Sequence, residues 1–162
     1  MMPLVLRWLR RVESVIATIA YGVVAALLIY DVIGREVFGT SFLGADQLAV
    51  YGAIIAGFLG LTLATSDNAH LRPGFMDFAF RGRDALATRI GDFVSCGFFI
   101  AAAAVAWSFV SISMQAQDRA PVFYFVVWPL QIIIPYAFAS CAVKHGVFAL
   151  RPDLKPHPDA AQ

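Results

Sequence analysis

Four apolar stretches, each long enough to cross a bilayer, divide this 162-residue chain: residues 14–34, 47–65, 90–114 and 128–148. A spanning helix needs about 20 apolar residues, because a rise of about 1.5 Å per residue must cover roughly 30 Å of hydrocarbon. Lipid supplies no hydrogen bonds, so each segment must satisfy its own backbone, and an α-helix does so. The expectation is an all-α integral membrane protein with four transmembrane helices. Composition agrees, since 60% of residues are hydrophobic and only 14% charged, against about 25% charged in soluble domains. A soluble core of this size has no room for so many apolar side chains.

The connecting segments are too polar to span. Residues 35–46 make a short loop, 66–89 a longer one, and 115–121 another short one. Residues 1–150 read as a single four-helix transmembrane domain, and the Pro-rich residues 151–162 as a flexible cytoplasmic tail. The arginines before the first stretch resemble the start of a secretory signal. The apolar run is too long for one and no convincing cleavage site closes it, so it reads as a retained helix.

Basic residues set the orientation. Arg7, Arg10 and Arg11 precede the first span; Arg72, Arg81, Arg83 and Arg89 lie between the second and third; Lys144, Arg151 and Lys155 close the chain. The other side holds only Arg35 and Arg119. Ten against two places both termini in the cytoplasm by the positive-inside rule. Within the 66–89 loop, Phe75, Met76, Phe78, Ala79 and Phe80 beside Asp77, Arg81 and Arg83 read as a short amphipathic segment on the inner membrane face. Trp8, Phe123, Tyr124, Phe125 and Trp128 read as interfacial anchors.

Few residues are candidates for chemistry. Asp31 lies inside the first span with Arg35 four residues later on the same face, which reads as a structural pair near the outer interface. Gly52, Ala56, Gly60 and Ala64 form a small-residue stripe that lets a second helix approach closely, inside the subunit or from a partner. Asp92 is three residues from Arg89 and is placed to pair with it. Lys144 and His145 end the fourth span, where cations suit the helix dipole. Pro129 fits a first helical turn, and Pro135 should loosen the backbone near Gln131. Cys96 and Cys141 sit in apolar stretches with no metal or disulfide spacing, and read as small packing residues. No catalytic motif, cofactor-binding motif or metal-ligand spacing is visible, so an enzyme is disfavoured. A net charge of +1 argues against a nucleic-acid partner.

The order of features resembles the DctQ-like small membrane subunit of tripartite ATP-independent periplasmic (TRAP) transporters. Three stretches carry the likeness: Gly34-Arg35-Glu36-Val37-Phe38; Asp46-Gln47-Leu48-Ala49 leading through Phe58-Leu59-Gly60 to Ala69-His70-Leu71; and Ala120-Pro121 followed fourteen residues later by Pro135. It covers residues 12–150. The family's usual Glu is replaced by Gln47 beside Asp46, and Ser66-Asp67-Asn68 stands where basic residues are usual. Val126 stands where the family has a proline, with Pro129 slightly later. His70, Pro121 and Pro135 match family motif positions.

The resemblance implies a multi-pass protein of the bacterial inner membrane. Its partners would be a large membrane subunit carrying substrate and sodium sites, and a periplasmic substrate-binding protein. It would scaffold the large subunit and help dock the binding protein during cation-coupled uptake of an organic acid. Docking candidates are then Arg35, Asp46, Gln47, Asp118 and Arg119, with no cofactor required. The alternatives are a membrane anchor of a redox complex, which needs paired histidines within spans, and a stand-alone homodimeric transporter, which needs polar groups lining a path.

Overall fold

The computed structural model describes residues 4–40, 42–66 and 84–151. The amphipathic segment expected at 75–83, His70 and the tail beyond Arg151 lie outside the described residues. The described residues form five helices: α1 (Leu4–Phe38), α2 (Ala45–Ser66), α3 (Asp84–Ala116), α4 (Trp128–Gln131) and α5 (Ile133–Leu150). Four segments are long and apolar enough to cross a membrane, α4 and α5 together forming the last. Among the described residues there is no strand, only an isolated bridge between Arg119 and Val126.

The helices outrun their apolar stretches. Hydropathy marks only the part in hydrocarbon, while backbone hydrogen bonding continues into the interface. Thus α1 begins before the arginines at 7–11 and continues through residues 35–38, where the sequence reads as loop. Gly39 ends it with a left-handed backbone (φ 64°), which costs glycine little. This turn brings the Thr40 N–H back to the Gly34 carbonyl at 3.1 Å. Gly34 has no room for a side chain there, since a Cβ would lie 2.7 Å from the Thr40 carbonyl oxygen.

Pro135 has its expected effect one turn upstream. The last span divides at Ile132 into α4 and α5. Pro135 becomes the third residue of α5, where a missing N–H breaks no helical bond. Pro129 sits in the first turn of α4.

Packing gives a row. The α1 helix lies along α2, α2 along α5, and α5 along α3. The two outer helices are the most naked. Only 6% of the most apolar stretch of α1 and 17% of that of α3 is buried, against 50% for the α4–α5 span. The buried side of α1 is one narrow line. Leu6, Glu13, Ala20, Leu27 and Gly34 recur every seven residues, with Ala17, Val24 and Asp31 between them, the spacing of a helix seam. Both described chain ends lie at the same end of the row. It is called the terminal end below, and the opposite end the loop end.

The middle of the row is apolar. Phe99 of α3 packs with Cys141 and Ala142 of α5, flanked by Leu61 and Phe138. Phe138 meets Phe58 edge-on at 5.6 Å.

Candidate functional site

Two polar sites bracket that apolar middle. The site at the terminal end is built around Glu13, which is fully buried, as is Lys144. Their Oε2 and Nζ atoms are 2.6 Å apart. The other carboxylate oxygen, Oε1, accepts from the Ser140 hydroxyl at 2.6 Å and from the Tyr136 hydroxyl at 3.3 Å. Tyr136, Ser140 and Lys144 are spaced by four, so one face of α5 presents three donors to one carboxylate. Lys144 also donates to the Thr62 carbonyl at 2.8 Å. That carbonyl lies near the C-terminal end of α2, where the helix dipole favours a cation. A buried charge of each sign is thus paired and hydrogen-bonded, the condition under which charges are tolerated away from water.

A second pair lies beside it. His145 Nδ1 is 3.1 Å from Asp92 Oδ1, and its ring stacks on Phe99 with centroids 5.5 Å apart. The sequence expectation for Asp92 is therefore corrected. Asp92 instead meets His145 of α5, whereas Arg89 turns its Nε to the Ala149 carbonyl at 3.4 Å and caps α5. Lys144 and His145 are likewise buried rather than facing the membrane surface. Beside them, the Thr65 hydroxyl donates to the Leu61 carbonyl at 3.0 Å and lies 3.3 Å from Cys141 Sγ.

The loop-end site is built around Asp31. Its Oδ2 pairs with Arg35 at 3.1 Å, with Asp31 buried and Arg35 more than half exposed. Its Oδ1 accepts from the Phe42 N–H at 3.2 Å, so the same carboxylate ties α1 to the turn leading into α2. Against this turn lies a short hairpin, residues 118–127. It is closed by bonds from the Ala120 N–H to the Phe125 carbonyl (2.9 Å) and from the Val127 N–H to the Asp118 carbonyl (3.0 Å). Pro121 lies in its turn and Tyr124 adopts φ 55°. Gln47 of α2 accepts from the Val122 N–H at 3.3 Å. Phe123 stacks on Phe125 with centroids 6.2 Å apart and meets Phe42 at a tilt with centroids 6.4 Å apart.

The docking candidates gather at this loop end. Asp46, Asp118, Arg119 and Arg35 are exposed, while Gln47 is half-buried and holds the hairpin. The small-residue stripe divides. Gly52 faces α1, where a Cβ would lie 2.5 Å from Val24 Cγ2. Ala56 and Ala64 are half-buried, whereas Gly60 is exposed and has nothing within 4 Å of a Cβ position. Pro135 is buried in α5.

Sequence reasoning missed Glu13, because it directly precedes the apolar run and reads as flank. Its one signal is its place on the seven-residue seam that continues through Ala20 and Leu27.

A protein-family model described as tripartite ATP-independent periplasmic transporters, DctQ component, matches residues 24–153. Neither a curated protein nor a solved structure matches the chain. The matched stretch covers most of the chain, from the middle of α1 past the end of α5, and therefore all of the loop-end site. The chain belongs to the DctQ family: it is a small membrane component of a tripartite ATP-independent periplasmic transporter, not an enzyme.

Proposed function

We propose that this subunit scaffolds the large membrane subunit of its transporter and helps dock the periplasmic substrate-binding protein, in the bacterial inner membrane, with both termini cytoplasmic. Residues 1–150 act as one transmembrane domain and residues 151–162 as a cytoplasmic tail. The observation that carries the reading is the open row. A row of helices with naked outer members encloses no substrate passage by itself, and translocation sites in secondary transporters lie between facing helices. The buried charges are engaged within the subunit: Glu13 by Lys144, Asp31 by Arg35, Asp92 by His145. A path for an organic acid and its coupling cation then belongs to the larger partner.

Orientation rests on charge. The terminal end carries Arg7, Arg10, Arg11, Arg89 and Arg151, and the loop end only Arg35 and Arg119 among the described residues. The loop end is then periplasmic, where exposed Asp46, Asp118, Arg119 and Arg35 supply charges of both signs to a soluble protein. Electrostatic contacts of this kind speed encounter and set orientation.

Affinity purification in mild detergent tests this. Tagged subunit should bring down the large membrane subunit in stoichiometric amount, and uptake should disappear when this chain is deleted. Recovery of the subunit by itself from membranes that contain the large subunit would contradict the scaffold role.

A further inference from the structure

We propose that Glu13 and Lys144 form an assembly latch: α1 reaches its final seat only when the last span delivers Tyr136, Ser140 and Lys144 to the Glu13 carboxylate. The link to partner binding drawn below rests on the scaffold reading, but the latch itself does not. Glu13 also precedes the residues that match the family.

The inference begins from how the two carboxylates on the α1 seam are satisfied. Asp31 finds both partners nearby, in Arg35 and in the Phe42 N–H eleven residues on. The α1–α2 hairpin therefore satisfies the Asp31 carboxylate unaided. Glu13 is different, since its three donors lie 123 to 131 residues downstream and all belong to α5. In lipid, a carboxylate without donors is held out of hydrocarbon or drawn to the interface. Before α5 is in place, the terminal half of α1 cannot bury Glu13 beside α2. Around Ala20, Val24 and Gly52 the contact between α1 and α2 is close packing, which offers a carboxylate no donor. Arrival of α5 supplies the donors, and Lys144 locks α2 in the same step through the Thr62 carbonyl. The flank of α1 offered to the large subunit is then rigid only in a chain whose last span is inserted.

The test uses the full chain with Cys96 and Cys141 replaced by Ala and one reporter substitution, Leu9→Cys, at a half-buried position one turn before Glu13. Maleimide labelling in membranes reads how far this part of α1 is unseated. In the reporter background labelling should be slow. Lys144→Met should raise its rate roughly tenfold, because an unpaired buried carboxylate is expelled. Adding Glu13→Gln to Lys144→Met should return it towards the starting rate. A merely structural lysine would not be rescued by a change on α1. Unchanged labelling in Lys144→Met, or a double variant as reactive as that single one, would overturn the latch. Because labelling is read without the partner, failure of the scaffold reading would show separately, as large-subunit recovery that does not follow the labelling rates.

Discussion

Glu13 and Asp31 stand on one line of α1, eighteen residues apart. At 3.6 residues per turn that is about five turns and about 27 Å, close to the thickness of the hydrocarbon layer. Each carboxylate pins one end of this stretch of α1, Glu13 to α5 and Asp31 to the turn before α2. Between them the seam is apolar, so these two contacts define the rotation and the register of α1.

The Asp31 pin should depend on the backbone bond more than on the ion pair. Arg35 is more than half exposed, and an exposed pair contributes under about 1 kcal/mol. Loss of a carboxylate that holds a partly buried N–H costs about 1–3 kcal/mol. Asp31→Ala should therefore lower the thermal midpoint of the purified subunit in detergent clearly more than Arg35→Gln. Equal losses would contradict this division.

The small-residue stripe of α2 should respond at one position only. Gly52→Ala forces a methyl group against Val24 and should cost about 1–3 kcal/mol, with partial recovery on adding Val24→Ala. Gly60→Ala meets open space and should be neutral or stabilise by up to about 1 kcal/mol in the isolated subunit. Detergent unfolding of the three variants checks the pattern.

What the sequence made legible follows the range of each interaction. The spans were readable because lipid demands length and apolarity, and the Asp31–Arg35 pair because its members are four residues apart. Asp92 misled, since the local Arg89 is the obvious partner while the observed one, His145, lies 53 residues away. Lys144 read as a helix-end cation because its partner comes from α1. The order of the row was hidden for another reason. Neither α2 nor α5 has a marked amphipathic periodicity, so neither pattern reveals which face meets a neighbour.

The loop-end charges should act on docking and not on folding. Asp46→Asn, Asp118→Asn and Arg119→Gln should leave accumulation and large-subunit recovery unchanged. Each should lower uptake at limiting binding protein, and raising the salt should shrink the difference, as screening requires. Uptake unaffected at every binding-protein concentration would remove these residues from the docking surface.

Orientation is open to direct labelling. Leu43→Cys, at a position 78% exposed in the turn between α1 and α2, should react with an impermeant maleimide added to the periplasmic side of intact cells with permeabilised outer membranes. Arg11→Cys should react only after the inner membrane is opened. The reverse pattern would invert the topology and remove the docking surface from the periplasm.

The most direct measurement is uptake by proteoliposomes containing this chain, the large membrane subunit, or both, with the binding protein supplied outside. The scaffold account predicts uptake only when both membrane subunits are present. Uptake by this chain without the large subunit, or undiminished uptake when this chain is omitted, would contradict it.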